Sequence, residues 1–188
     1  DKTRLIQEDS VQVLRRDNGA SKNITLIDKK NIHNNALQVI NQYTEKGGNF
    51  DTRYDVTVLV NGFPLVHVEL KRRSVALKEA FHQIDRYQRD SFWAGCGLFE
   101  YVQIFVISNG THTKYYSNTT RAGVVKEAAG GKRKTQKTSN SFEFTSFWAD
   151  GNNRVIPDLV DFARIFFAKH TLLNVLTRYC VLTSEDLL

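Results

Sequence analysis

Residues 53–73 read RYDVTVLVNGFPLVHVELKRR, and three of them, Asp55, Glu69 and Lys71, carry charge inside two β-prone runs joined by Asn-Gly. Strand side chains alternate between faces. Asp55, Thr57 and Leu59 therefore share one face of the first run, and Leu65, His67, Glu69 and Lys71 share one face of the second. The other faces carry Val56, Val58 and Val60, and Val66, Val68 and Leu70, which must meet to be buried. Pairing Val60 with Pro64 across an Asn61-Gly62-Phe63 loop, with Gly62 free to take positive φ, achieves this. The same register sets Asp55 opposite Glu69 and Thr57 opposite His67. The two carboxylates then stand about 5 Å apart at Cβ, with Lys71 two residues along on the same face. Like charges this close repel unless a cation lies between them. Two carboxylates completed by water and a substrate phosphate suit Mg²⁺, and the lysine could orient or deprotonate a water. That is the equipment for metal-assisted phosphodiester hydrolysis. A surface hairpin with a cross-strand Lys–Glu pair would use the same short pattern.

The surrounding elements must hold this group. VQVLRRDNGASKNITLID (11–28) reads as two strands about an Asp-Asn-Gly turn, and ALQVINQYTEKGG (36–48) as a third strand closed by a glycine pair, a short helix being the alternative. SVALKEAFHQIDRYQRD (74–90) has helical spacing, with Ser74 as its cap and Ala76 and Ala80 on one stripe. Gln83 and Tyr87 lie one turn apart on it, where they could approach the carboxylates or be ordinary helix surface. YVQIFVISNG (101–110) is a buried central strand, THTKYYSN (111–118) returns beside it, and SFEFTSFW (141–148) alternates like a last strand. Pro157 opens a helical stretch, broken near His170 and Thr171. The order predicts an α/β fold, a central mixed sheet flanked by helices.

The 188 residues fit one domain, and no apolar run is long enough to span a bilayer. Two cysteines make neither a disulfide framework nor a metal cluster, which points to a reducing cytoplasm. The chain begins at Asp1 and contains no Met, so it is expected to be one domain of a longer protein. Residues 121–140 hold six Lys and Arg against one Glu, and so carry +5 of the net +6. Lys132, Arg133 and Lys134 at their centre are candidates for DNA-backbone contacts, the alternative being a solvated insertion. The GGKRKT there lacks the spacing of a phosphate-binding P-loop.

Taken in order, the hairpin, EAFHQIDRY and QIFVISNGTHTKYYSN closely resemble the nuclease domain of the restriction (R) subunit of type I restriction–modification enzymes. This is a branch of the PD-(D/E)xK superfamily with an added Q-x-x-x-Y motif, and the resemblance runs from about Asn23 to Tyr179. It implies a restriction-endonuclease-like fold, with Asp55 as the metal-binding acid and Glu69 and Lys71 as the E-x-K pair. The Leu70 main-chain carbonyl would be a further metal ligand, and Gln83 and Tyr87 would assist DNA binding or cleavage. It also implies Mg²⁺ as cofactor, double-stranded DNA as substrate, and methyltransferase (M) and specificity (S) subunits as partners. Residues 1–155 would be the endonuclease domain and 156–188 a helical connector to an ATP-dependent translocase beyond Leu188. Tyr54 replaces the motif's proline, and the family's N-terminal helix is expected before Asp1. Arg53, Arg72 and Arg73 flank the hairpin, facing either phosphate or solvent. His67 is either a substrate contact or a packed histidine. A silent docking or assembly module, or a repair or junction nuclease, would share the pattern.

Overall fold

The computed structural model describes residues 5–6, 11–118 and 140–180. The predicted basic contacts Lys132, Arg133 and Lys134 lie outside the described residues. A two-stranded antiparallel sheet, β1 (Val11–Arg15) and β2 (Ser21–Thr25), precedes the main one. The main sheet has five strands in the order β3 (Leu37–Glu45), β4 (Thr52–Val60), β5 (Phe63–Leu70), β6 (Ile104–Ser108) and β7 (Thr113–Ser117). Only β5 and β6 are parallel. Helix α1 (Leu77–Asp90) makes that crossover, as a parallel pair requires. Among the described residues two further α-helices follow, α2 (Leu159–Phe166) and α3 (Lys169–Asn174).

The sheet is covered on both faces. Val58, Val60, Val66, Val68, Ile104 and Val106 form one core with Phe162 and Phe166 of α2 and Leu172 and Leu173 of α3. Phe105 and Ile107 form the other with Ala80, Phe81, Ile84 and Tyr87 of α1. Strand β6 is buried at every position, as expected of a central strand. This mixed sheet between helices is the restriction-endonuclease-like arrangement the sequence predicts.

Local details differ from the sequence reading. The β4–β5 connection is a two-residue turn, Asn61 and Gly62 with φ of 51° and 87°, not a three-residue loop. Val60 therefore pairs with Phe63 and Leu59 with Pro64, and a bulge then makes Val58 pair with Val66. Leu65 is the extra residue, and it turns into the valine core rather than toward the carboxylate face. Pro64 has no N–H for a ladder, so a bulge beside it costs little. The bulge restores the predicted register beyond it, with Thr57 opposite His67.

Helix α1 starts after Ala76, which has no side-chain cap; Ser74 lies ahead of it, and Ala76 is exposed. Residues 141–148 are not a strand. Phe142–Phe144 form a 3-10 turn held by Ser141 accepting from the Glu143 N–H, and only Ser146 bridges to β7 at Tyr115. The C-terminal helix begins after Asp158, whose carboxylate caps Val160 and Asp161, and it breaks at Phe167–Ala168, ahead of the expected position.

Asn61 does more than turn the chain. Its Nδ2 donates to the Leu26 carbonyl and Asn35 Oδ1, both at 2.8 Å, and its Oδ1 accepts from the Ala36 N–H at 2.8 Å. The hairpin tip is thus tied to the segment before β3. Asn61→Ala should cost about 2–3 kcal/mol by urea unfolding, from lost hydrogen bonds plus a side chain strained at positive φ. Asn61→Gly, free of that strain, should cost about half as much; equal losses would contradict the turn geometry.

Candidate active site

Burial forces the first piece of the site. Strand β5 lies in the middle of a sheet covered on both faces, so its alternation offers no solvent face, and Glu69 is only 2% exposed on the α1 side. A buried carboxylate needs a counter-charge. Lys71 supplies it, with Nζ 2.6 Å from Glu69 Oε1 while its own side chain stays 25% exposed. Glu69 Oε2, also buried, has no hydrogen-bond partner among the described residues.

Asp55 arrives from β4 by a break in the strand pattern. The β3–β4 register passes from Asn41–Val56 to Tyr43–Tyr54 with no Gln42–Asp55 pair, and Gln42 has φ of 51°. Across this point alternation fails: Val56 packs on the valine core, whereas Tyr54 sits in the α1-side core. The β4–β5 ladder likewise ends at Val56–Val68, one residue short of the expected Asp55–Glu69 pair. Asp55 instead reaches β5 with its side chain, Oδ2 accepting the Leu70 N–H at 2.8 Å. A carboxylate has thus replaced a rung of the ladder, which fixes it beside the Glu69–Leu70 peptide.

Helix α1 closes the site. Tyr87 is buried, and its hydroxyl donates to the Arg53 carbonyl at 3.2 Å. Burial first, and then the charge of Glu69, push its ionisation well above the ordinary tyrosine range, so it stays a neutral donor. Gln83 hydrogen-bonds through Oε1 to the Arg86 guanidinium. Gln83 and Tyr87 line a cleft of about 280 Å³ with Phe50, Arg53 and Arg86 and with the acids Asp51 and Asp90; Asp55, Glu69 and Lys71 are not part of its lining. A larger cleft, of about 860 Å³, lies beside β7 and α3 and includes none of these residues.

The structure thus brings together Asp55, Glu69, Leu70 and Lys71, with Tyr87 and Gln83 beside them. Arg72 and Arg73 follow at the exposed end of β5. His67 is wholly buried, edge-on to Tyr54, Tyr87 and Phe92 at 5.5–5.7 Å, so it is packed rather than presented to a substrate. The spacing of the motifs gave no sign of Arg86 or Phe50; only the fold carries them to the cleft.

Among the described residues no three His, Cys, Asp or Glu side chains gather as a metal cluster. A divalent ion here would rely on two carboxylates, main-chain oxygen and oxygens of water or substrate. That donor set fits Mg²⁺, and a buried carboxylate oxygen without a partner is the feature it would satisfy.

Comparison with known proteins bears on this geometry. Residues 1–124 match the family model for the type I restriction enzyme R protein N terminus, and the chain belongs to that family. It is 48% identical over 188 residues to the type I restriction enzyme EcoprrI endonuclease subunit of Escherichia coli, covering all of this chain and 55% of that protein. It is 36% identical over 173 residues to the SauMSSORF170P endonuclease subunit of Staphylococcus aureus strain MSSA476, covering 92% of this chain and 16% of the relative. A putative endonuclease subunit of Methanocaldococcus jannaschii, MjaIXP, is 35% identical over 112 residues, 55% of this chain and 10% of its own length. The chain thus spans about half of the first relative and about a sixth of the second.

The ion pair gives a stability test. Lys71→Ala in metal-free buffer should cost about 2 kcal/mol, less than for a fully buried pair because Lys71 is partly exposed. Adding Glu69→Gln should recover part of that loss, because no carboxylate is then left uncompensated. A double variant weaker by the sum of both single losses would contradict this pairing.

Proposed function

We propose that this chain is the endonuclease region of a type I restriction enzyme R subunit and hydrolyses phosphodiester bonds of double-stranded DNA. The observation that carries the reading is the buried Glu69 carboxylate, one oxygen on Lys71 and the other without a partner, with Asp55 tied to the adjoining peptide. Membership of the R-subunit family supports it.

Asp55, Glu69 and the Leu70 main-chain carbonyl would hold Mg²⁺, which when bound supplies Lewis-acid polarisation of the phosphate and a more nucleophilic water. Lys71 orients that water and offsets negative charge growing on the phosphate oxygens. Neutral Tyr87, held by the Arg53 carbonyl, and Gln83, held by Arg86, brace the α1 wall of the cleft against the strand being cut. Arg72 and Arg73 meet neighbouring phosphates, a sequence-independent contact. Nothing in this set reads a base, which suits an enzyme whose site recognition lies in S subunits acting with M subunits. The matched region is 16% of the Staphylococcus aureus relative, whose remaining length leaves room for the ATP-driven translocase to which residues 156–188 would lead. The whole enzyme would work in the cytoplasm; no helix among the described residues is long and apolar enough to cross a membrane.

In the assembled enzyme, Asp55→Ala, Glu69→Ala and Lys71→Ala should each lower DNA cleavage by on the order of 10³-fold or more while ATP hydrolysis continues. Cleavage at the wild-type rate in all three would end the nuclease reading.

A further inference from the structure

Four buried polar atoms behind the carboxylate have no hydrogen-bond partner among the described residues: Thr57 Oγ1, His67 Nδ1, His67 Nε2 and Glu69 Oε2. They belong to neighbours. Thr57 and His67 face each other across the β4–β5 ladder, and His67 Nε2 stands 3.7 Å from Glu69 Oε2. That distance is too long for a hydrogen bond and counts as an ion pair only for a charged imidazole. All three residues are 2% exposed or less. Folded proteins leave few such atoms unpaired, and four side by side point to a role.

Their donor and acceptor capacities fit together in one order. A singly protonated imidazole donates at one nitrogen and accepts at the other. Glu69 Oε2 can only accept, whereas the Thr57 hydroxyl can donate. Thr57 O–H to His67 Nδ1, and His67 Nε2–H to Glu69 Oε2, would satisfy all four atoms. On the carboxylate side this needs closure from 3.7 Å to about 2.9 Å, less than an ångström of movement. The surrounding rings do not compete for the imidazole. The Tyr54 hydroxyl donates to Ser91 Oγ at 2.8 Å, and the Tyr87 hydroxyl to the Arg53 carbonyl. A phenylalanine would fill the same aromatic pocket without stranding two nitrogens, so packing alone does not explain a histidine here.

We propose that His67, backed by Thr57, is a positioning residue that locks the Glu69 carboxylate in the orientation from which it binds a divalent ion; this rests on the metal reading above. Lys71 takes one lone pair of Oε1 from the solvent side and His67 one lone pair of Oε2 from the core, so the carboxylate keeps little rotational freedom and each oxygen keeps a second lone pair for the ion. Partners of this kind, one step removed from a metal, typically change its affinity by about 10–100-fold.

The test is Mn²⁺ binding to the full-length R subunit without nucleotide, read by electron paramagnetic resonance as the difference from Glu69→Ala, with melting temperature measured alongside. His67→Phe should melt as wild type yet bind Mn²⁺ about 10–100-fold more weakly. His67→Gln, whose amide N–H reaches the position of Nε2, should recover most of that loss, and Thr57→Val should show a smaller one. His67→Phe binding Mn²⁺ as tightly as wild type would overturn the proposal while leaving the metal reading intact. If His67→Phe does not fold, Thr57→Val decides, and unchanged affinity there overturns it. A wild type that takes up no more Mn²⁺ than Glu69→Ala would overturn both.

Discussion

A carboxylate taken out of water is the constraint around which this domain is arranged. Glu69 occupies the middle strand of a sheet covered on both sides, where any inward side chain is buried, and the Lys71 ammonium at 2.6 Å offsets its charge. Hydrophobic residues of the same size would be at least as stable in that place. A charge kept there at such a cost makes sense as chemistry, because low-dielectric surroundings strengthen its pull on a cation. The valine core on one face and the aromatic core on the other fix β5 so that this charge cannot turn away.

Two irregularities aim the second carboxylate. The bulge at Leu65 absorbs a proline and a tight turn without shifting the register farther along, so Thr57 still faces His67. The break in β4 at Asp55 then ends the ladder and frees that side chain to take the Leu70 N–H. Departures from ideal strand geometry thus sit on either side of the site, where bulges commonly re-aim side chains.

Much of this was legible in the sequence because it follows from alternation. Val58, Val60, Val66 and Val68 had to share a core, and that requirement alone sent His67 and Glu69 to the opposite face. Strand β6 was readable from its unbroken apolar run, and α1 from its spacing. The hairpin turn differs from the expected loop because the valine parity is met equally by a three-residue loop and by a two-residue turn with a bulge; the missing N–H of Pro64 separates them. Residues 141–148 alternate in hydrophobicity, yet Ser141 captures the Glu143 N–H and diverts the chain into a 3-10 turn. The partners of Asn61, and the enclosure of His67 by Tyr54, Tyr87 and Phe92, come from distant parts of the chain, so no local pattern encodes them. In the site, the acids and the lysine could be found by spacing, whereas the atoms behind them are visible only once both faces are covered.

The most direct measurement is anomalous X-ray diffraction from crystals of this chain soaked in Mn²⁺. The expected result is a peak within about 2.0–2.4 Å of oxygens of both Asp55 and Glu69, with the Leu70 carbonyl in the same coordination shell. A map with no peak there, or with Asp55 and Glu69 turned away from one another, would contradict a divalent-metal nuclease site at the end of this hairpin.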